Sequence, residues 1–162
     1  SMSERRIHIS LKEQRLNLFD SDAVLKTYQV STSRYGAGEV AGSFQTPRGQ
    51  HIVRAKIGSG EPQGTVFRGR RSDGQIYSAE LARAHPNWDW VLTRILWLSG
   101  TEVGKNRLGL VDSMRRYIYI HGTPHLDNLG EPTSLGCIRM SNDDVVELFD
   151  LVSFGTVVEI KG

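Results

Sequence analysis

The sequence predicts a mostly-β domain, sandwich-like or barrel-like, with one helix late in the chain. Three observations carry this. Short stretches of alternating apolar and polar residues recur from Arg5 to Ile160. Clusters of Gly, Pro, Asn and Asp separate them, as turns require. Only the segment after Ser141 places apolar residues at helical spacing behind a capping signal. With 162 residues, 38% of them hydrophobic and 23% charged, the chain fits one domain with a real core, drawn as residues 5–162.

Taken in order, residues 5–11 (RRIHISL) and 14–20 (QRLNLFD) alternate in polarity across Lys12 and Glu13, which reads as a β-hairpin. Residues 23–32 extend the pattern. Residues 34–42 (RYGAGEVAG) form a glycine-rich loop without the strand, helix or Lys-Ser/Thr element of a phosphate cradle, so turn chemistry explains it. A turn at 43–50 precedes a strand at 51–57, and a loop at 58–64 precedes a short strand at Val66–Phe67. Residues 81–91 are ambiguous because Pro86 interrupts them. TRILWL at 93–98 and YIYIH at 117–121 are β-branched and aromatic, hence strands. Residues 99–116 between them form a long polar loop, often a functional feature. Ser141-Asn142-Asp143-Asp144 opens the helix, with Val145, Val146, Leu148, Phe149 and Val152 as its apolar face, and TVVEI at 156–160 is a closing strand.

Composition narrows the function. The net charge is +2 with Lys and Arg scattered, which argues against nucleic acid or an anionic membrane surface as partner. Residues 1–20 hold no long apolar run, so no signal-peptide core or membrane span is expected there. Ser1 reads as a tag remnant and Met2 as a start. This gives a cytoplasmic expectation, with a periplasmic alternative if an export signal has been removed. The single cysteine, Cys137, has no disulfide partner in the chain and cannot build a multi-Cys zinc site. It is either a small buried hydrophobe or a reactive thiol.

The chemistry concentrates in YIYIHGTPHLDNLGEPTSLGCIRM at 117–140. An apolar strand ends at His121, a Gly- and Pro-rich loop follows, and Ser134-Leu135-Gly136-Cys137-Ile138-Arg139 leads into the helix. One imidazole and one thiol thus stand at the two ends of one loop. A thiol needs a base or an electropositive setting to act as a nucleophile near neutral pH. Gly136 admits close approach to the sulfur. Backbone N–H groups around Gly136 and Cys137 suit an oxyanion, and Arg139 suits a thiolate or an anionic substrate group. On spacing alone the plainer reading prevails: a lone Cys is usually core, and a His at a strand end usually polar surface.

A resemblance reverses that balance. His121-Gly122-Thr123, followed sixteen positions after His121 by Cys137 in SLGCIRM, resembles the signature of the L,D-transpeptidase (YkuD-type) family: a histidine, a spacer, then Ser-(His or Lys)-Gly-Cys-(Ile or Val)-Arg. Residues 31–51 are similar to the family's early block ending in Thr-Pro-x-Gly, here Thr46-Pro47-Arg48-Gly49. The likeness runs from about residue 7 to 160, in the family's order. It implies a YkuD-type fold, Cys137 as nucleophile and His121 as base. The Gly122 carbonyl would take the imidazole N–H, as a carboxylate does in serine triads. Ser134, Gly136, Arg139 and Thr123 are the expected substrate-binding positions. Leu135 departs from the pattern where many members carry His or Lys.

Other sites rank lower. His121 and His125 lie four apart, but Gly122-Thr123-Pro124 between them rules out the helix that would align two zinc ligands. No metal and no cofactor is expected. Trp88, Trp90 and Trp97 offer a stacking wall, with Trp97 better read as core. His125 is a surface residue by default that can also line the pocket, and His85-Pro86 is a turn. The implied partners are peptidoglycan stem peptides or muropeptides, with carbapenem-type inhibitors. The expected reaction cuts the bond between the diamino acid and D-Ala through a thioester. Lack of an export signal tilts the acceptor toward water, which makes an L,D-carboxypeptidase of recycled muropeptides. The alternatives are an exported enzyme forming 3–3 cross-links and a silent wall-peptide binding module.

Overall fold

The computed structural model describes residues 4–162. Ser1 and Met2, read above as a remnant and a start, lie outside the described residues. The strands are β1 (Arg5–Ser10), β2 (Arg15–Asp20), β3 (Ala23–Gln29), β4 (Gly49–Ile57), β5 (Thr65–Arg68), β6 (Arg71–Ile76), β7 (Val91–Gly100), β8 (Tyr119–Thr123), β9 (Ile138–Ser141) and β10 (Val157–Lys161). Two α-helices accompany them, α1 (Ala79–Ala84) and α2 (Asn142–Leu151). The fold is mostly β, as expected: 43% strand and 14% helix. Among the described residues, no helix is long and apolar enough to cross a membrane.

One mixed sheet carries the strands in the order β3-β2-β1-β10-β4-β7-β5-β6. The pairs β1/β10 and β8/β9 are parallel, and the other strand pairs are antiparallel. The sheet branches at β7. One edge of β7 pairs with β4 along His51–Ile57 and then with β5 at Val66 and Phe67. The other edge pairs with β8, which passes the sheet on to β9. The chain leaving β3 closes the curl, because Ser31 and Arg139 exchange both backbone hydrogen bonds at 2.9 Å. The free edge of β9 is therefore covered rather than exposed.

Alternation along β8 and β9 decides what faces what. Ile118, Ile120, Ile138 and Met140 point into the main core with Ile7, Leu16, Val53 and Leu96. Tyr119 and Cys137 point the other way, into a smaller cluster with Phe67, Ile95 and Trp97. Helix α2 lies against β7, β8 and β9 and buries Val145, Leu148 and Phe149. Each such side chain contributes roughly 1.5–3 kcal/mol on leaving water. Ser141 caps the helix by accepting from the Asp144 N–H at 3.1 Å. Arg5 and Lys56 donate to the carbonyls of Leu151 and Val152 at 2.7 and 2.8 Å, so distant strands cap its C-terminal end.

Several expectations change. The ambiguous stretch before Pro86 holds a second helix, α1, capped by Ser78 and with no buried residue. Strand β6 (RSDGQI) has no apolar alternation, and pairing with β5 alone makes it a strand. The strand expected at 117–121 starts at Tyr119 instead, since Tyr117 takes a positive φ of 58° that breaks the pleat. The loop expected at 99–116 begins later, because β7 runs on to Gly100; residues 101–116 form an irregular connection with a 3-10 turn at Gly109–Val111.

Candidate active site

The parallel register of β8 and β9 sets His121 beside Arg139. Cys137 lies two residues before Arg139, so it shares the face that carries His121 and Tyr119. His121 is fully buried. Its Nδ1 lies 2.8 Å from the Gly122 carbonyl, a contact that fixes the N–H on that nitrogen. Nε2 is then an acceptor, and it is buried with no hydrogen-bond partner. An orphaned buried acceptor is costly and invites a donor from something that binds there. Gly122 has no room for a side chain: a Cβ would stand 2.3 Å from Asn142 Oδ1 and 2.7 Å from the Leu92 carbonyl.

The thiol is held by backbone. Tyr119 N–H donates to Cys137 Sγ at 3.3 Å, and Sγ–H donates to the Tyr117 carbonyl at 3.3 Å. The turn before it is built by Ser134 and Thr46. Buried Ser134 accepts from Gly136 N–H at 3.2 Å and donates to the Cys137 carbonyl at 2.6 Å. Buried Thr46 donates to the Gly136 carbonyl at 2.9 Å and accepts from Ser33 N–H at 3.0 Å. Gly136 sits at φ 125°, a conformation that glycine takes without strain. Three non-glycine residues near the site take positive φ: Phe44 at 59°, Thr93 at 76° and Tyr117 at 58°. For a β-branched residue such as Thr93 this is a true outlier. Its hydroxyl is clamped between Gly64 N–H and Asn142 Oδ1.

The charges are few and shared. Desolvation lowers the His121 pKa; Arg139 adds to this, while Asp89 and the Gly122 carbonyl oppose it. Cys137 is half-buried as a residue, and desolvation by its dense surroundings pushes the thiol up to about 12. Asp89 works in the same sense, and Tyr119 N–H, Arg139 and Arg116 work against it. Both shifts thus favour the uncharged forms, a thiol and a neutral imidazole. Arg139 is nearly buried and binds Asp89 Oδ1 at 2.6 Å.

Three clefts lie near this face, and neither Cys137 nor His121 lines any of them. One of about 290 Å3 is lined by Arg34, Trp88, Asp89, His125, Leu135 and Arg139 among others. A second of about 330 Å3 lies across Trp88 and Asp89, against Phe67 and Arg68. A third of about 220 Å3 runs past Phe44, Arg116 and Ile118 on the far side of Leu135. Leu135 is 40% exposed and forms a wall common to the first and third.

The expected site residues thus come together only in part. Cys137, His121 and the Gly122 carbonyl converge on one face, and Arg139 reaches a cleft. Ser134 does not reach a cleft: it is fully buried and its hydroxyl is used up within the turn. The Gly136 N–H is bonded to Ser134, so it is not free for an oxyanion. Thr123 is buried, accepts from His125 N–H, and borders a separate cleft with Gln63 and Tyr77. His125 is exposed and lines the first cleft. Trp88 lines two clefts, while Trp97 packs beside Tyr119 and donates to the Met114 carbonyl. Sequence reading missed Tyr117, Tyr119, Arg116 and Asp89. The first two act through backbone atoms, which no side-chain pattern reveals.

Comparison with known proteins now bears on this geometry. The sequence profile of the YkuD L,D-transpeptidase catalytic domain matches residues 4–160. The chain belongs to that family. The YkuD protein of Bacillus subtilis is 46% identical over 156 residues, covering 96% of this chain and 65% of that protein. The YkuD protein of Bacillus licheniformis is 30% identical over 156 residues, covering 96% and 64%. This L,D-transpeptidase domain therefore spans under two thirds of the length of those relatives. Among solved structures, L,D-transpeptidase 3 of Mycobacterium tuberculosis, determined with a faropenem-derived adduct, superposes with a TM-score of 0.60 at 17% identity. That match covers 98% of this chain and 60% of the other. At that identity the likeness is one of fold.

Proposed function

We propose that this L,D-transpeptidase-family domain performs acyl transfer on the L,D bond between the diamino acid and D-Ala of peptidoglycan stem peptides. Cys137 is the nucleophile, His121 the base, and the Gly122 carbonyl the group that fixes the imidazole tautomer. The observation that carries this reading is His121 itself: Nδ1 tied to Gly122 and Nε2 left as a buried, unpartnered acceptor on the face of Cys137.

The steps start from the uncharged forms of both groups. As the sulfur attacks the carbonyl carbon, its proton passes to His121 Nε2, so no free thiolate is needed at high concentration. The carbonyl π pair moves to oxygen, giving a tetrahedral oxyanion beside the Tyr119 N–H that faced the sulfur. The oxyanion then collapses, the C–N bond breaks, and the His121 proton leaves with the D-Ala amine. A thioester remains on Cys137. Water or the amine of a second stem, deprotonated by His121, then attacks the thioester and releases the thiol. Water gives an L,D-carboxypeptidase, and an amine gives a 3–3 cross-link.

Intact-mass measurement with a disaccharide-tetrapeptide tests both halves. The expected result is a thioester adduct on wild type, with tripeptide and free D-Ala among the products if water is the acceptor. Cys137→Ala is expected to fold, form no adduct and release no D-Ala. Turnover in that variant sinks the assignment. A dimeric product in place of tripeptide assigns transpeptidation and overturns the carboxypeptidase reading. A carbapenem or penem is expected to add one equivalent of mass to wild type and none to Cys137→Ala.

A further inference from the structure

The strongest unexplained feature near the site is an ion pair that crosses between elements. Asp89 stands between Trp88 and Trp90 on the connection from α1 to β7, and its Oδ1 lies 2.6 Å from Arg139 Nη2 on β9. Arg139 is nearly buried and is the register partner of His121. Its guanidinium therefore stands on the same face as the imidazole that must become positive when Cys137 attacks. We infer that Asp89 is a positioning residue for acyl transfer: by neutralising Arg139, it allows His121 to accept the Cys137 proton.

This inference rests on the Cys137–His121 reading and deepens it. Two like charges a few ångströms apart in a poorly solvated site repel strongly. An unmasked Arg139 opposes the imidazolium and favours a thiolate that has no proton acceptor. The paired carboxylate reverses both effects. The charged and titratable groups that face the pair come from several elements. Asp89 belongs to the α1–β7 connection, Arg139 to β9, and Arg116 to the loop before β8. The Tyr119 phenol on β8 is held by Arg70 from the β5–β6 turn. Asp89 is the acid in this set, and it acts on both His121 and Cys137. Its side chain is 42% exposed, against 10% for Arg139, so it sits at the mouth while the cation it masks lies inside.

The test uses the 162-residue chain and two readouts. The first is alkylation of Cys137 by iodoacetamide across pH, which requires no stem peptide. The second is D-Ala release from a tetrapeptide across pH. In Asp89→Asn, the alkylation midpoint is expected to fall by about one pH unit. The acid limb of kcat/KM is expected to move down in the same direction, and its plateau to drop about tenfold or more. The thermal midpoint, measured alongside, is expected to fall because the nearly buried Arg139 loses its counter-charge, so the shifted pH limbs, which lost stability alone does not move, decide the question. Asp89→Glu keeps the charge and is expected to keep the wild-type limb. Adding Arg139→Gln to Asp89→Asn removes the unmasked cation, and the limb is expected to return most of the way. A plateau loss with unmoved limbs, or a double variant no different from Asp89→Asn, overturns the inference. If the alkylation shift appears but no chain releases D-Ala, the Asp89 coupling stands and the proposed reaction falls.

Discussion

Cys137, the nucleophile proposed above, is unusual for that role because its surroundings hold the proton on. Desolvation pushes the thiol up to about 12, with Asp89 adding to the effect and Tyr119 N–H, Arg139 and Arg116 only partly offsetting it. His121 is pushed the opposite way, since burial disfavours its charged form. Both shifts favour the uncharged forms, a thiol and a neutral imidazole. The sign gives a testable pH dependence. Alkylation by iodoacetamide, which needs thiolate, is expected to have its midpoint well above about pH 8.5, the midpoint of an ordinary thiol. Acyl transfer moves its proton within the complex, so its rate is expected to plateau far earlier, once His121 is neutral. The check is to measure both profiles on one preparation. Coincident alkaline midpoints show that free thiolate, and not concerted transfer to His121, drives turnover. Replacing His121 with Asn is expected to cost about 10²–10⁴-fold in turnover while leaving alkylation at high pH nearly intact.

At the level of elements, the site depends on a turn that two buried hydroxyls assemble. Thr46 bonds the Gly136 carbonyl and the Ser33 N–H, so it joins the chain after β3 to the residue before Cys137. Thr46→Val keeps the shape and strands both groups, which costs about 1–3 kcal/mol. Because the stranded carbonyl adjoins Cys137, D-Ala release is expected to slow as well. Ser141→Ala removes the cap of α2 for about 1 kcal/mol and is expected to leave kcat unchanged. Urea unfolding together with kinetics separates the two, and equal kinetic losses in both variants contradict the placement of Thr46. The Thr-Pro-x-Gly block was visible in the sequence as a motif, but its partner, 90 residues away, was not. The same division runs through the elements. The first hairpin, β7 and α2 were legible because alternation and capping are local properties. Strand β6 and helix α1 were not, because a polar strand with Gly74 inside it and a six-residue helix with no buried face are formed by their neighbours. Likewise, His121 and Cys137 were readable only through resemblance, and Tyr119 N–H and the Asp89–Arg139 pair only through the fold.

At the scale of the whole molecule, a second buried histidine ties the sheet to the long connection ahead of β8. His51 on β4 is fully buried, with Nδ1 3.0 Å from the Gly49 carbonyl and Nε2 2.9 Å from Ser113 Oγ. Ser113 lies five residues before Ile118, and its carbonyl accepts the Ile118 N–H, so this contact helps hold the chain that leads to Tyr117 and Tyr119. Desolvation lowers the His51 pKa from 6.5 to about 4, against the pull of Gly49, Glu102 and Glu39. The unfolded chain binds this proton near pH 6.5 and the folded chain resists it until about pH 4. Above pH 6.5 the two states bind alike and no stability is lost. Between these values the unfolded state binds more protons, so stability falls as pH falls, by up to about 3 kcal/mol for this one group. His121 is shifted in the same direction and adds to the fall. Glu39 and Asp112 have lowered pKa values, so their contributions are lost only below the ordinary carboxylate range. The histidines therefore dominate above about pH 5. Urea unfolding at steps from pH 7.5 to 5 is expected to show stability dropping through this interval. His51→Gln keeps an amide donor and acceptor for Gly49 and Ser113, so it is expected to start lower at pH 7.5 and to slope less. A wild-type curve that stays flat through this range contradicts a neutral, buried His51. A slope unchanged in His51→Gln assigns the whole dependence to His121.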